Sequence, residues 1–440
     1  MDRPSVRVGV MSAPTIEFSF SGIYSTPGTA VVDGEQQARV SDSGLGVVWN
    51  GRTYSVLDFT PTSPEGDSFC LKGVTIGVGF HWQRREDQRF RGSLRLIARG
   101  GMLTAINILG VEEYLTSVIS SEMSSHSSLP LLQAHAVISR SWLLAQIDRG
   151  LRGSAASEER MIETPSERIK WYDRSDHTDF DVCADDHCQR YQGISRISAG
   201  TAASAVADTL GQVLMAGQVM ADTRFSKCCG GMMEEFGFCW ADTPHDYLRA
   251  RRDDVAEETR PDLTREEEAG KWILSEPESF CNTSDYSVLS QVLNDYDRET
   301  PDFFRWKVEY TQEQLAGLIR SRSGIDFGKI LSLKAIERGK SGRISRLEIR
   351  GTLRTMVIGK ELEIRRTLSE SHLRSSAFVA DGLEPDAGGV PSRFVIRGAG
   401  WGHGVGLCQI GAAMMAERGY TYREILRHYY PGADLKTLYL

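Results

Sequence analysis

The chain has 440 residues, enough for two or three domains that each bury a core of their own. Its 25% charged and 40% hydrophobic residues are ordinary for a folded chain, and a formal net charge of −8 excludes broad nucleic-acid binding, which needs a basic face. No run of about 18 apolar residues occurs, so no transmembrane helix is expected.

The opening MDRPSVRVGVMSAP passes straight into a strand without an apolar leader, so no signal peptide is expected in the sequence as it stands. Residues 1–60 break into short alternating runs (VRVGVM, IEFSFSG, LGVVWN, TYSVLDF) punctuated by Gly, Pro and Ser, and predict a β-rich region over residues 1–89. RFRGSLRLIARGGMLTAINIL then predicts a hairpin turning at Gly100-Gly101.

Two helices follow. Val111, Tyr114, Leu115, Val118 and Ile119 recur at spacings of three and four, an apolar stripe. After a Ser/His-rich break, Pro130 suits the first turn of a second helix carrying Leu132, Ala136, Val137, Ser139, Arg140 and Leu143. Glu122 ends the first helix. A carboxylate there opposes the helix dipole, and burial would raise its pKa toward that of a general acid; the plainer reading is a solvated helix end.

Beyond Arg149 the chain is polar, then gives a short Ala-rich helix (AGTAASAVADT) and the CCGG turn. Residues 249–300 are charge-rich and predict a solvated surface insertion. A Thr311/Gln314 capping box opens a further helix, and residues 330–366 alternate as strands turning at Ser341-Gly342. The chain closes with a glycine string, GWGHGVGLCQIGA, and an amphipathic helix over 421–429 stopped by Pro431-Gly432. Together these elements predict an α+β fold of antiparallel β-rich arms around a central helix pair, with boundaries near residues 90, 249, 301 and 391.

The segment VEEYLTSVISSEM followed by LLQAHAVISRSW, together with the closing glycine string, resembles the stage II sporulation protein D family, the SpoIID/LytB domain. The resemblance covers about residues 90–440 without the acidic insertion, and places Glu122 on the family's catalytic glutamate and Arg140 on its active-site arginine. Gln133 stands where the family has Lys and His135 where it has Gln, two positions that would contact the glycan. The family's Ser-x-x-x-Gly-Gly pattern falls on Ser226, Gly230 and Gly231.

In the glycine string, the functional reading is a cleft floor on which His403 and Gln409 hydrogen-bond a sugar; the alternative is tight backbone packing around a satisfied histidine. His177, Cys183 and Cys188 match a zinc-ligand order found in some relatives, with His187 as another nitrogen donor; free thiols or a Cys183–Cys188 disulfide stay open. Eight cysteines are too sparse for a disulfide scaffold, and Cys239 and Cys281 are a candidate pair across the insertion.

The resemblance implies a peptidoglycan lytic transglycosylase. Glu122 would protonate the bond between N-acetylmuramic acid and N-acetylglucosamine, then deprotonate the C6 hydroxyl to close a 1,6-anhydro ring, on glycan strands stripped of stem peptides. Alternatives are a non-catalytic amidase enhancer with a cell-wall amidase as partner, and a zinc-dependent cell-wall hydrolase. The substrate points to the cell envelope.

Overall fold

A computed structural model describes residues 3–77, 83–124, 127–151, 160–172, 177–185, 187–195, 200–255, 261–292 and 302–440. The chain forms two compact units: one from residues 1–154, 176–215 and 435–440, the other from 155–175 and 216–434.

In the first unit an eleven-stranded sheet is built from the segments read as alternating. The alternation does what a half-buried strand requires: Val6 and Val8 of β1 (Ser5–Ala13), and Ile16, Phe18 and Phe20 of the next strand, are buried while Ser5, Arg7, Thr15 and Glu17 between and beside them are exposed. Strand 102–110 pairs antiparallel with both β1 and strand 93–99. The latter hairpin turns at Gly100 (φ 57°) and Gly101 (φ 78°), the left-handed pair that a tight two-residue loop needs. At the far edge, Val182–Cys183 adds to β1 in parallel, Gly9 opposite Cys183.

The sheet leads directly into α1 (Val111–Glu122), followed by α2 (Leu129–Leu151). All five residues of the α1 stripe are buried, as are Leu132, Ala136, Val137 and Leu143 of α2. The Ala-rich segment forms α3 (Gly200–Asp208), whose small side chains allow close packing on α2. These elements bear out the mixed α+β class.

The second unit pairs a five-stranded sheet (order 161–164, 167–170, 355–359, 344–351, 330–338) with a three-stranded one (305–311, 391–399, 378–385). Between them lies a core including Trp306, Leu315, Ile319, Leu347, Ile349, Phe378 and Ile396. The helix Gln312–Ser323 opens on the expected capping box: Thr311 Oγ1 accepts from Gln314 N–H while Gln314 Oε1 accepts from Thr311 N–H, and Gly324 closes it at φ 71°. A second capping box, Thr421/Glu424, opens the helix Tyr422–Tyr429.

The charge-rich segment is not a surface insertion. Its acidic face is solvated, but Leu263, Ala269, Trp272 and Ile273 pack with Met232, Ala377 and Ala399 in a second core of this unit, and Asp253, Phe280 and Cys281 are almost fully buried. The helix Glu266–Leu274 is amphipathic, and its three leading glutamates conceal an apolar stripe spaced at three and four.

Candidate active site

Glu122 is the last residue of α1, and Met123 N–H closes the helix on Ile119 O. The side chain is half-buried, and its Oε1 accepts from Arg190 N–H at 3.0 Å. Among the described residues no hydrogen bond reaches Oε2. One oxygen is thus anchored by a backbone donor while the other remains available to exchange a proton.

Arg190 ends the turn that holds the sulfur and imidazole donors. The ligand atoms of His177, Cys183, His187 and Cys188 all lie within 4.8 Å of one another. Cys188 Sγ is 3.5 Å from His177 Nε2 and 3.6 Å from His187 Nδ1, and Cys183 Sγ is 3.9 Å from His187 Nδ1. Tetrahedral zinc bonds of ~2.3 Å to sulfur and ~2.0 Å to nitrogen put such atoms about 3.6 Å apart. Both cysteines are free thiols, and the neighbouring Cys188, then burial, push the Cys183 thiol upward. The turn is fixed from β1: Ala184 N–H donates to Gly9 O, Tyr191 N–H returns to Ala184 O, and Tyr191 Oη donates to Asn107 Oδ1 at 2.5 Å. Tyr114 of α1 stacks on Tyr191 at 5.1 Å between ring centroids and its Oη contacts Gln189 Oε1 at 3.4 Å. Burial, then the charges of Cys188, Cys183, Tyr191 and Glu122, hold the Tyr114 hydroxyl well above its ordinary range.

A cavity of about 80 Å³ adjoins the donor turn at Cys183, Asp185 and Arg190, and shares Val10 and Thr75 with an open groove of about 590 Å³ running over Ser12, Lys72 and Arg85.

Arg140 is not beside Glu122. It is fully buried on α2 and forks onto Glu112 at the start of α1 (Nε–Oε1 2.9 Å, Nη2–Oε2 2.6 Å), with Gln212 O accepting from Nη1 at 3.0 Å. Tyr439 Oη adds a bond to Glu112 Oε1 at 2.6 Å. Ten residues of helix, about 15 Å of rise, separate Glu112 from Glu122. Arg140 therefore ties α2 to the start of α1 and, through Glu112, to Tyr439. Gln133 donates to Asp208 Oδ2 of α3 at 3.0 Å, and His135 is fully buried with Nδ1 3.2 Å from Ser139 Oγ, so both are engaged in helix packing where the family comparison expected glycan contacts.

The glycine string lies in the second unit, with Ser226, Gly230 and Gly231. His403 Nδ1 accepts from Val405 N–H at 3.0 Å. Burial, reinforced by Arg224, Arg343 and Arg365, keeps the ring well below its ordinary pKa and hence neutral. One ring nitrogen of His403 is engaged within the string, and Gln409 is 2% exposed at the start of its helix. A Cβ on Gly404 would meet the Arg343 guanidinium at 2.4 Å, and one on Gly406 would meet Arg224 O at 2.1 Å. The alternating glycines admit neighbouring chain. Gly230 serves the same end, since its Cβ would sit 2.8 Å from Gly400 N; Ser226 and Gly231 are buried alongside.

Sequence reasoning missed Glu112, Tyr439 and the Arg190 amide. A signal existed for the first: an arginine inside an apolar helix demands a buried carboxylate, and Glu112-Glu113 opens the preceding helix.

Comparison with known proteins agrees with the motif over the sheet-to-helix region. Residues 99–215 match the stage II sporulation protein model. This segment is similar to the SpoIID family. Within it lie Glu122, Arg140 and the four-donor turn. A domain of unknown function, DUF8618, matches residues 234–406, the heart of the second unit. The chain is 26% identical over 241 residues to the amidase enhancer of Bacillus subtilis, covering 52% of this chain and 32% of that protein. It is 29% identical over 154 residues to stage II sporulation protein D of Bacillus amyloliquefaciens, covering 35% and 39%. An uncharacterized protein of Brachyspira hyodysenteriae is 22% identical over 374 residues, 84% of this chain and 74% of that one. The chain thus spans about a third to two fifths of the two named relatives. Among the described residues no helix is long and apolar enough to cross a membrane.

Proposed function

We propose that the SpoIID segment acts on the cell wall as a lytic transglycosylase, with Glu122 as its acid and base. The observation that carries this is the divided environment of the Glu122 carboxyl: Oε1 is held by Arg190 N–H while, among the described residues, no hydrogen bond reaches Oε2, at the edge of an ordered turn. Protonated Glu122 donates to the glycosidic oxygen between N-acetylmuramic acid and N-acetylglucosamine, and the bond from that oxygen to C1 breaks with the electron pair leaving on oxygen. The Glu122 carboxylate then takes the proton of the muramic C6 hydroxyl as O6 bonds to C1. No water is consumed, and the acid returns to its starting state. The nucleophile belongs to the same sugar, so its proximity supplies what a second carboxylate supplies in a hydrolase. The groove toward the donor turn is the path assigned to the glycan strand, in the cell envelope.

Zinc belongs to this proposal. His177, Cys183, His187 and Cys188 fit it by donor type and spacing, and four protein donors close the coordination, so the ion would supply a cross-link. That closed set weighs against a zinc hydrolase. What this chain's residues do is hold the turn so that Arg190 N–H stays on Glu122.

The test is mass spectrometry of products from purified, peptide-stripped glycan strands. Wild type is expected to release 1,6-anhydro-N-acetylmuramic ends, and Glu122→Gln to lose this by ~10²–10⁴-fold, the usual worth of a general acid–base. Reducing ends in place of anhydro ends would mean hydrolysis and overturn the reaction. Co-sedimentation with glycan in the absence of products would favour the second reading, a binding role beside an amidase, to which the likeness to the amidase enhancer points.

A further inference from the structure

The second unit gathers cysteines far apart in sequence. Sγ of Cys229, Cys281 and Cys408 and a carboxylate oxygen of Asp253 all lie within 4.8 Å of one another, and all four residues are buried. Cys229 and Cys281 sulfurs are 3.5 Å apart, too far for the ~2.05 Å of a disulfide and close to the about 3.8 Å edge of a tetrahedral zinc thiolate. Cys281 therefore faces Cys229 and not Cys239, whose thiol lies against His403 O.

Three features separate this cluster from ordinary buried thiols such as Cys70. The first is Asp253. A carboxylate inside apolar packing is costly unless compensated, and the His428 ring lies beside it with Nε2 3.6 Å from Oδ1. The Arg305 guanidinium is engaged by the carbonyls of Gly230, Trp272, Phe304 and Ser275. Second, outer partners already orient the donors. Tyr429 Oη donates to Asp253 Oδ1 at 2.7 Å, Cys281 N–H to Oδ2 at 3.1 Å, and Cys229 N–H to Cys408 Sγ at 3.2 Å. Metal ligands characteristically carry such outer bonds. Third, the donors come from four separate segments, so their meeting is a product of the fold, and Cys408 immediately precedes the helix Gln409–Glu417.

We propose that Cys229, Cys281, Cys408 and Asp253 bind a Zn²⁺ ion in a closed structural site of the second unit. Soft thiolates with one carboxylate oxygen suit zinc, and four protein donors leave no open position. The ion fastens the Cys229–Gly231 turn, the Asp253 and Cys281 segments of the charge-rich region, and the start of the helix after the glycine string. This site stands independently of the reaction assigned to Glu122.

The experiment counts zinc in the full chain, purified under reductant without chelator, and determines its ligands by X-ray absorption. Cys183→Ser/Cys188→Ser removes two donors of the first-unit cluster, so metal retained by that variant belongs to the second unit. One equivalent is expected, with about three sulfurs at ~2.3 Å and one lighter atom at ~2.0 Å. Adding Cys229→Ser and Cys281→Ser is expected to abolish it. Should the first variant not fold, wild type decides: two thiolates on one ion and three on the other average about 2.5 sulfurs per zinc, and the second site alone gives three. Two or fewer sulfurs per zinc, no zinc in the folded Cys183→Ser/Cys188→Ser protein, or a disulfide among Cys229, Cys281 and Cys408 would overturn the proposal. Absence of zinc from the first-unit cluster would leave wild type with one equivalent that Cys183→Ser/Cys188→Ser does not change, so the two metal assignments fail separately.

Discussion

Arg140 and His403 are each tied into the fold by hydrogen bonds to other residues of their unit. Removing the Arg140 guanidinium strands Glu112 beside Tyr439, so Arg140→Met is expected to cost ~3–5 kcal/mol, read as a lowered urea midpoint of the first unit. Tyr439→Phe leaves the ion pair intact and is expected to cost only about 1 kcal/mol. For His403 the sign follows from its depressed folded pKa: the unfolded chain takes up the proton first, near its ordinary value of 6.5, so the native state loses stability as pH falls below that value. His403→Gln, which cannot titrate, is expected to be less stable than wild type at pH 7.5. The gap should narrow on acidification, as measured by chemical denaturation at several pH values. A constant gap from pH 7.5 to 5 would show that the neutral ring carries no such role. At this scale the sequence was only partly legible. Glu122 could be placed at a helix end because the α1 stripe sets the end. The Arg140 partner lies 28 residues upstream, and a tertiary contact of that kind leaves no local period to read.

At the scale of elements, the glycine string shows how one pattern supports two structures. Glycines at alternate positions permit a ligand to approach a backbone, and equally permit another stretch of the same chain to do so. Here Gly406 has φ +72° and a Cβ would fall 2.1 Å from Arg224 O, so Gly406→Ala is expected to destabilise the second unit by more than ~2 kcal/mol through combined strain and overlap, seen as a lowered thermal midpoint. Gly419, also at positive φ but with open space around its Cβ position, isolates the backbone strain, and its alanine variant should cost less. Helices were the most legible elements, because caps and stripes are local: Thr311 and Gln314 announced their helix three residues apart. The Glu266–Leu274 helix was concealed by composition, since its run of three glutamates stands ahead of the buried Ala269, Trp272 and Ile273 that decide its packing. Charge content reports the solvated face of such a helix and says little of the opposite one.

For the molecule as a whole, among the described residues each unit contains one cluster of four candidate metal donors. In the first unit the donors fall within twelve residues and only the attachment of their turn to β1 and α1 is long-range, so the pattern was visible. In the second they are spread from Cys229 to Cys408 and emerge only on folding. If both clusters hold zinc, folding free energy in each unit includes metal-binding free energy, because the unfolded chain presents no preformed site. Chelation is then expected to lower the thermal transitions of both units in calorimetry. In Cys183→Ser/Cys188→Ser only the transition of the second unit should remain sensitive to chelator, and re-addition of Zn²⁺ should restore it. A chelator-insensitive second unit in that variant would assign the Cys229, Cys281, Cys408 and Asp253 cluster to packing alone. The buried Asp253 would then have to be stabilised by Tyr429, Ser279 and His428 without an ion. That outcome carries its own consequence. Tyr429→Phe would then remove one of the few groups offsetting a buried carboxylate and should destabilise the unit by ~1–3 kcal/mol, whereas beside a bound cation the same change removes only one outer hydrogen bond.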